Sequence, residues 1–168
     1  VQDHEGYIDI ISEPDNGTRF DLYFPISLDE TVMPRKSLNI EELRGNGETI
    51  LVVDDIDTQR QIAVAALEKL GYQVASVESG EKAVEYLREK DASLIVLDMI
   101  MEHGIDGYET YRRIKEFKPL QKAVIASGFS RTRQVNDTLA LGAGCYIKKP
   151  YTLEKLGTAI KKELAREA

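Results

Sequence analysis

Little in this sequence can be cross-linked, set in a bilayer or laid against nucleic acid. Its single cysteine, Cys145, cannot form an internal disulfide and rules out a cysteine-built metal centre, which fits a reducing, cytoplasmic compartment. No apolar run approaches the roughly 20 residues that a membrane-spanning helix needs. The opening VQDHEG is neither basic nor apolar enough for a signal peptide, so no membrane contact is expected. A basic surplus is also missing. The 168 residues carry a net charge of -7, and its distribution is uneven. Residues 1–47 hold 10 acidic and 4 basic side chains, whereas residues 48–168 hold 19 and 18. Nucleic acid requires a concentrated basic patch, so none is expected as a partner. With 42% hydrophobic and 30% charged residues, the chain can still bury a core and stay in solution.

The charge imbalance suggests two unlike pieces. Between Ser27 and Gly47 the apolar periodicity fails: SLDETVMPRKSLNIEELRGNG contains a proline, acidic pairs and a Gly-Asn-Gly stop. This reads as a linker over 28–47, with a short helical turn at Ile40 to Arg44. Beyond Glu48 the pattern is regular. Apolar strands are expected at Thr49 to Val53, Gln73 to Val77, Ser93 to Leu97, Ala123 to Ala126 and Gly144 to Ile147. Helical spacing at Ile62, Leu67 and Leu70 ends at Gly71, and further helices are expected near 80–90, 107–117, 131–141 and 152–166. Five strands alternating with five helices indicate a doubly wound α/β fold with a five-stranded parallel sheet, because each parallel crossover needs a helix. The runs LVV and LIVL suit strands buried on both faces.

Such sheets place their ligand site beyond the carboxyl ends of the strands. Polar residues collect there: Asp54 and Asp55 after the first strand, Asp98 after the third, Ser127 after the fourth and Lys149 after the fifth. Three converging carboxylates repel one another unless a cation sits among them or some are protonated. A hard divalent ion with oxygen ligands, Mg2+ above all, resolves the conflict. Lys149 and the Ser127 hydroxyl are then available to hold phosphoryl oxygens. Any one of these acids alone would read as an ordinary loop start or helix cap.

ILVVDD (50–55), LIVLDMIM (94–101), VIASG (124–128) and YIKKP (146–150) resemble, in order and spacing, the receiver domain of two-component response regulators. The resemblance covers residues 48–168 and implies a flavodoxin-like sheet of order 2-1-3-4-5. It implies that Asp98 is the phosphoacceptor, Asp55 a direct Mg2+ ligand, Asp54 a metal-site carboxylate acting largely through water, and the Ile100 main-chain carbonyl a further ligand. Ser127 matches the switch hydroxyl, Tyr146 the switch aromatic, and Lys149 the lysine that pairs with the phosphoryl group, aimed by a cis Lys149-Pro150 bond. Gly128 leaves room for the incoming group. The implied partners are a histidine kinase phosphodonor domain and a histidine phosphotransfer protein. One loop departs from the pattern: Glu102 stands where receivers commonly have proline, and EHGIDG is one residue longer than usual. His103 in that loop reads as a solvated side chain rather than a second phosphodonor or ligand. Cys145 reads as a small buried hydrophobe, and Lys161 and Lys162 as the wet face of the last helix.

Residues 1–27 contain two alternating β-prone runs, GYIDIISE and TRFDLYFPI, around PDNG, which predicts an antiparallel hairpin with an apolar side carrying Phe20, Leu22 and Phe24. The segment resembles the last two strands of a histidine kinase ATP-binding domain, without the asparagine-bearing helix or the glycine-rich lid needed to hold ATP. A piece of a hybrid sensor histidine kinase accounts for both resemblances; an unrelated N-terminal hairpin is the alternative. The chain ends just beyond the fifth helix, so no DNA-binding output domain is expected to follow. Two other functions compete with phosphoryl acceptance: a receiver-fold interaction module that is never phosphorylated, and a Mg2+ phosphohydrolase. The intact carboxylate and lysine set argues against the first, and the lack of an evident substrate pocket or separate acid-base residue against the second. Whether the protein is a monomer or a homodimer is left open.

Overall fold

The computed structural model describes residues 5–25, 40–128 and 133–166, which divide into two units, the hairpin and all that follows residue 37. The hairpin comprises β1 (Tyr7–Glu13) and β2 (Gly17–Tyr23), paired antiparallel. Its turn runs through Pro14 and Asp15, with Asp15 and Gly17 at φ of 63° and 87°. Pro14 sets the first turn residue, and Gly17 adopts the left-handed conformation at no steric cost. Ile10 pairs with Phe20 and Ile8 with Leu22, so alternation puts these four side chains on one face, and all are exposed. The expected apolar side is therefore present and extends to β1. Residues 28–39 of the expected linker lie outside the described residues; its expected helical turn is a short 3-10 turn, Ile40–Leu43.

The second unit contains five parallel strands and five helices: β3 (Thr49–Val53), α1 (Asp57–Lys69), β4 (Gln73–Val77), α2 (Gly80–Glu89), β5 (Leu94–Asp98), α3 (Gly107–Phe117), β6 (Ala123–Ser127), α4 (Arg133–Ala140), β7 (Cys145–Lys148) and α5 (Leu153–Leu164). The sheet order is β4-β3-β5-β6-β7, the expected 2-1-3-4-5. Alternation along the strands divides the core in two. Ile50, Val52, Val96 and Val124 pack under α1 and α5 with Leu67, Leu156 and Ile160. Leu51, Val53, Leu97 and Ile125 pack under α2, α3 and α4 with Leu87, Tyr111, Ile114 and Val135. Burying each Leu or Ile completely stabilises the fold by about 1.5–3 kcal/mol.

Helix starts show why the chain turns where it does. Ser79, Asp106 and Thr152 each cap a helix by accepting a hydrogen bond from the amide three residues on. Gly71, at φ 81°, follows the end of α1 as expected. Ile62 departs from expectation. It is 64% exposed, because the buried stripe of α1 runs through Ala63 and Leu67 toward Leu70. Residues 131–132, the expected start of α4, lie outside the described residues. Among the described residues no helix is long and apolar enough to cross a membrane.

At the end of the sheet away from the carboxylates, Glu163 of α5 is buried against Gly144. A Cβ at Gly144 would lie 1.4 Å from Glu163 Oε2. Arg166 forms an ion pair with Oε1 at 2.8 Å, yet that oxygen receives no hydrogen bond. Gly144→Ala is therefore expected to cost about 2 kcal/mol, as overpacking does, and much less when combined with Glu163→Ala. Urea midpoints for the two singles and the double check this; equal costs in both backgrounds would contradict the clash.

Candidate functional site

Sheet order and register build the site. β3 and β5 are adjacent, with Val53 level with Leu97, so the Asp54-Asp55 pair leaves the sheet beside Asp98. β6 lies on the other side of β5, and Ser127 is level with Lys148 of β7. The Lys149 amide donates to the Ser127 carbonyl at 2.8 Å, and the Lys149-Pro150 bond is cis, as expected.

Lys149 Nζ lies 2.6 Å from Asp54 Oδ2 and 2.9 Å from Asp98 Oδ2, bridging the two carboxylates. Asp54 and Asp98 are buried, and Ser127 is only 1% exposed. Burial holds the Asp98 carboxyl above the usual carboxylate range, Lys149 pulls it down, and the neighbouring charge of Asp54 raises it again. The Ile100 amide donates to Asp98 Oδ1 at a long 3.3 Å, and the Ile56 amide donates to Asp54 Oδ1 at 3.0 Å.

Asp54, Asp55 and Asp98 each present an oxygen within 4.8 Å of the others. Asp55 Oδ2 accepts the Glu102 amide at 2.7 Å, while Asp55 Oδ1 is buried without any hydrogen-bond partner. An orphaned carboxylate oxygen in a cluster of hard oxygen donors fits a Mg2+-sized cation, which supplies the missing positive charge.

The structure thus brings together Asp54, Asp55, Asp98 and Lys149, with Ser127 at the neighbouring strand end. Tyr146 lies elsewhere: it pairs in register with Ile125 and packs, half-buried, against the core beneath α2, α3 and α4. His103 is exposed. Cys145 is only partly buried, with its thiol pushed up chiefly by burial. Three contributors escaped the sequence reading. Arg60 donates to the Asp54 carbonyl at 2.7 Å and pairs with Asp57, clamping the loop that carries two of the acids. Tyr151 has its hydroxyl pushed up to about 12 by burial and by the charges of Asp54 and Asp98. The third is the Glu102 backbone amide. The Asp57–Arg60 spacing, i to i+3 on a helix, was a legible signal for the first; an amide contact across 47 residues has none.

The family model for the response regulator receiver domain matches residues 50–161. The chain belongs to the response regulator receiver family. Residues 50–161 are accordingly a phosphoryl-accepting receiver of two-component signalling, a family whose members generally bind Mg2+ in an acidic pocket and interact with kinase phosphodonors. The response regulator receiver protein CpdR of Brucella abortus is 35% identical over 115 residues, covering 68% of this chain and 95% of that protein. The sensor kinase CckA of the same organism is 28% identical over 172 residues, covering 96% of this chain but only 18% of the kinase. A CheY-like receiver domain protein from Methanospirillum hungatei JF-1 shares the fold, with a TM-score of 0.66 and 24% identity over 70% of this chain and 94% of that one.

Proposed function

We propose that Asp98 is the phosphoacceptor and that Asp54, Asp55, Asp98 and the Ile100 carbonyl hold a Mg2+ ion. The observation that carries this reading is Lys149 Nζ, bridging Asp54 and Asp98 at 2.6 and 2.9 Å inside a three-carboxylate cluster. An Asp98 carboxylate oxygen attacks the phosphorus of a kinase phosphohistidine. The P–N bond breaks, its electrons stay with the imidazole, which takes a proton from solvent, and an acyl phosphate forms. Lys149 holds a transferring oxygen, and Ser127 donates to another once the group is in place. When bound, Mg2+ neutralises the oxygens of the group in transit. The chain promotes only its own aspartyl phosphorylation and dephosphorylation. It either passes the group to a histidine phosphotransfer protein or signals through its surface.

Residues 1–27, 28–47 and 48–168 are assigned as the end of a kinase ATP-binding domain, a linker and the receiver, a cytoplasmic portion from the C-terminal part of a hybrid histidine kinase. The alignment with a sensor kinase over 96% of the chain supports this origin. Whole-kinase activity belongs to that proposal, not to the described receiver.

Intact-mass measurement after incubation with acetyl phosphate and Mg2+ tests the site. Wild type is expected to gain one phosphoryl group. Asp55→Ala or a chelator should abolish the gain while the fold persists, because removing a carboxylate relieves repulsion. No gain in wild type, or a full gain in chelator, would refute the reading.

Switching is assigned to Ser127 and Tyr146. Movement of the Ser127 hydroxyl toward the new phosphoryl oxygens vacates space into which Tyr146 turns. Ser127→Ala should still accept phosphate but lose most phosphorylation-dependent NMR shifts over residues 133–151. Unchanged shifts would show that the coupling bypasses Ser127.

A further inference from the structure

The loop from Met101 to Gly107 is pinned at two points before it reaches α3. Near its start, the Glu102 amide donates to Asp55 Oδ2 at 2.7 Å. Further on, the Ile105 amide donates to Glu81 Oε1 at 2.9 Å, at the start of α2. Between them Gly104 adopts φ 84°, pressed so closely on Glu81 that a Cβ would sit 2.5 Å from its Oε1. That conformation and approach both favour glycine.

The first of these contacts falls on a carboxylate of the proposed metal site. A distance of 2.7 Å is that of a charge-assisted hydrogen bond, about twice as strong as a neutral one. A carboxylate whose Oδ2 is held in this way cannot rotate freely, and its Oδ1 is left buried with no donor. The geometry points to the Glu102 main-chain amide as a positioning group for Mg2+. It fixes the Asp55 rotamer so that one oxygen is spent on the loop and the other faces the cation. The ordering cost of that ligand is then met by folding rather than by binding. Outer contacts of this kind typically govern metal affinity by 10- to 100-fold. The exposed Glu102 side chain has no part in the contact, because the donor belongs to the backbone. Only proline at this position would remove it.

This inference rests on the Mg2+ reading of the acidic cluster, so the test separates the two. Mg2+ affinity is measured by calorimetric titration of the full chain as wild type, Glu102→Ala, Glu102→Pro and Asp55→Ala. Glu102→Ala and Glu102→Pro both lack the side-chain carboxylate, and only the second lacks the N–H. Glu102→Pro is expected to bind Mg2+ at least about tenfold more weakly than Glu102→Ala. Equal affinities of the two, with wild type binding normally, would overturn the positioning role and leave the metal site standing. No binding by wild type would remove both.

Proline also restricts Met101, so a second measurement uses variants that keep the amide. In metal-free protein the Glu102 amide should be protected from hydrogen exchange in wild type and exchange at least about tenfold faster in Asp55→Ala. Equal exchange would show that Asp55 does not hold that amide and would overturn the inference even if Glu102→Pro fails to fold.

Discussion

Asp98→Asn is expected to take up no phosphoryl group from acetyl phosphate and Mg2+, and to make the metal-free domain more stable by about 1 kcal/mol. Loss of acceptance follows from chemistry, since an amide oxygen is too poor a nucleophile to displace a leaving group from phosphorus. The gain in stability follows from burial. Asp98 has its carboxyl held above the usual range by desolvation, against the opposing pull of Lys149. The native chain therefore binds the Asp98 proton more tightly than the unfolded chain does. As pH rises from the ordinary carboxylate range through that raised value, folding is progressively disfavoured in wild type and not in the variant. Below the ordinary range the two should converge. Lys149 keeps a partner in the variant, because Asp54 Oδ2 lies 2.6 Å away. Intact mass reads the first effect, and urea midpoints in chelator at neutral and acidic pH read the second. Persistent full labelling would defeat the assignment of Asp98, and a variant less stable than wild type at neutral pH would defeat the electrostatic account.

The two results draw on different parts of what the sequence made legible. Runs such as LVV and LIVL, bounded by glycine and acidic stops, carry strand identity because both faces of a parallel strand are buried and apolar pattern is a local property. Asp98 was visible for the same reason, since it directly follows such a run, and Lys149 stands just past the shorter run CYI. Ile62 misled because α1 is covered only along one stripe, and an isoleucine one residue off that stripe keeps helical spacing while facing solvent. Contacts between segments far apart in the chain were not legible. The Glu102 amide on Asp55, the Glu163 carboxylate on Gly144 and the burial of Tyr151 depend on where two distant backbones approach, and no residue type encodes that distance. The hairpin shows the limit from the other side: alternation predicted its apolar face, but pairing gives each strand its partner and says nothing of what lies over that face.

Gly107 is where backbone approach bears most directly on chemistry, and Gly107→Ala is expected to cut the rate of phosphoryl acceptance about 100-fold while lowering stability by about 2 kcal/mol. In an ordinary helix the change would help, since alanine exceeds glycine in helix propensity by about 1 kcal/mol. Here α3 begins against the end of β5. A Cβ at 107 would lie 2.4 Å from the Asp98 carbonyl oxygen and 2.8 Å from the Met99 Cα. Both are backbone atoms of the segment carrying Asp98, so no side chain can swing aside to make room. Either α3 lifts from the sheet, losing cover over the buried Tyr111 and Ile114, or the end of β5 shifts and carries Asp98 with it. The hydrogen bond that the Gly107 amide donates to the Met99 carbonyl, already 3.3 Å, opposes the first route and passes the displacement to the second. Movement of about 1 Å would upset the Lys149 bridge and the carboxylate spacing together, and misplacement of that size is what costs about two orders of magnitude in rate. Gly104→Ala is the control. It meets only the Glu81 side chain, so it should lower stability by about 1 kcal/mol through its positive φ and change the labelling rate far less. Labelling time courses and urea midpoints for both variants decide the matter: wild-type kinetics in Gly107→Ala would show that the position of Asp98 does not depend on this contact.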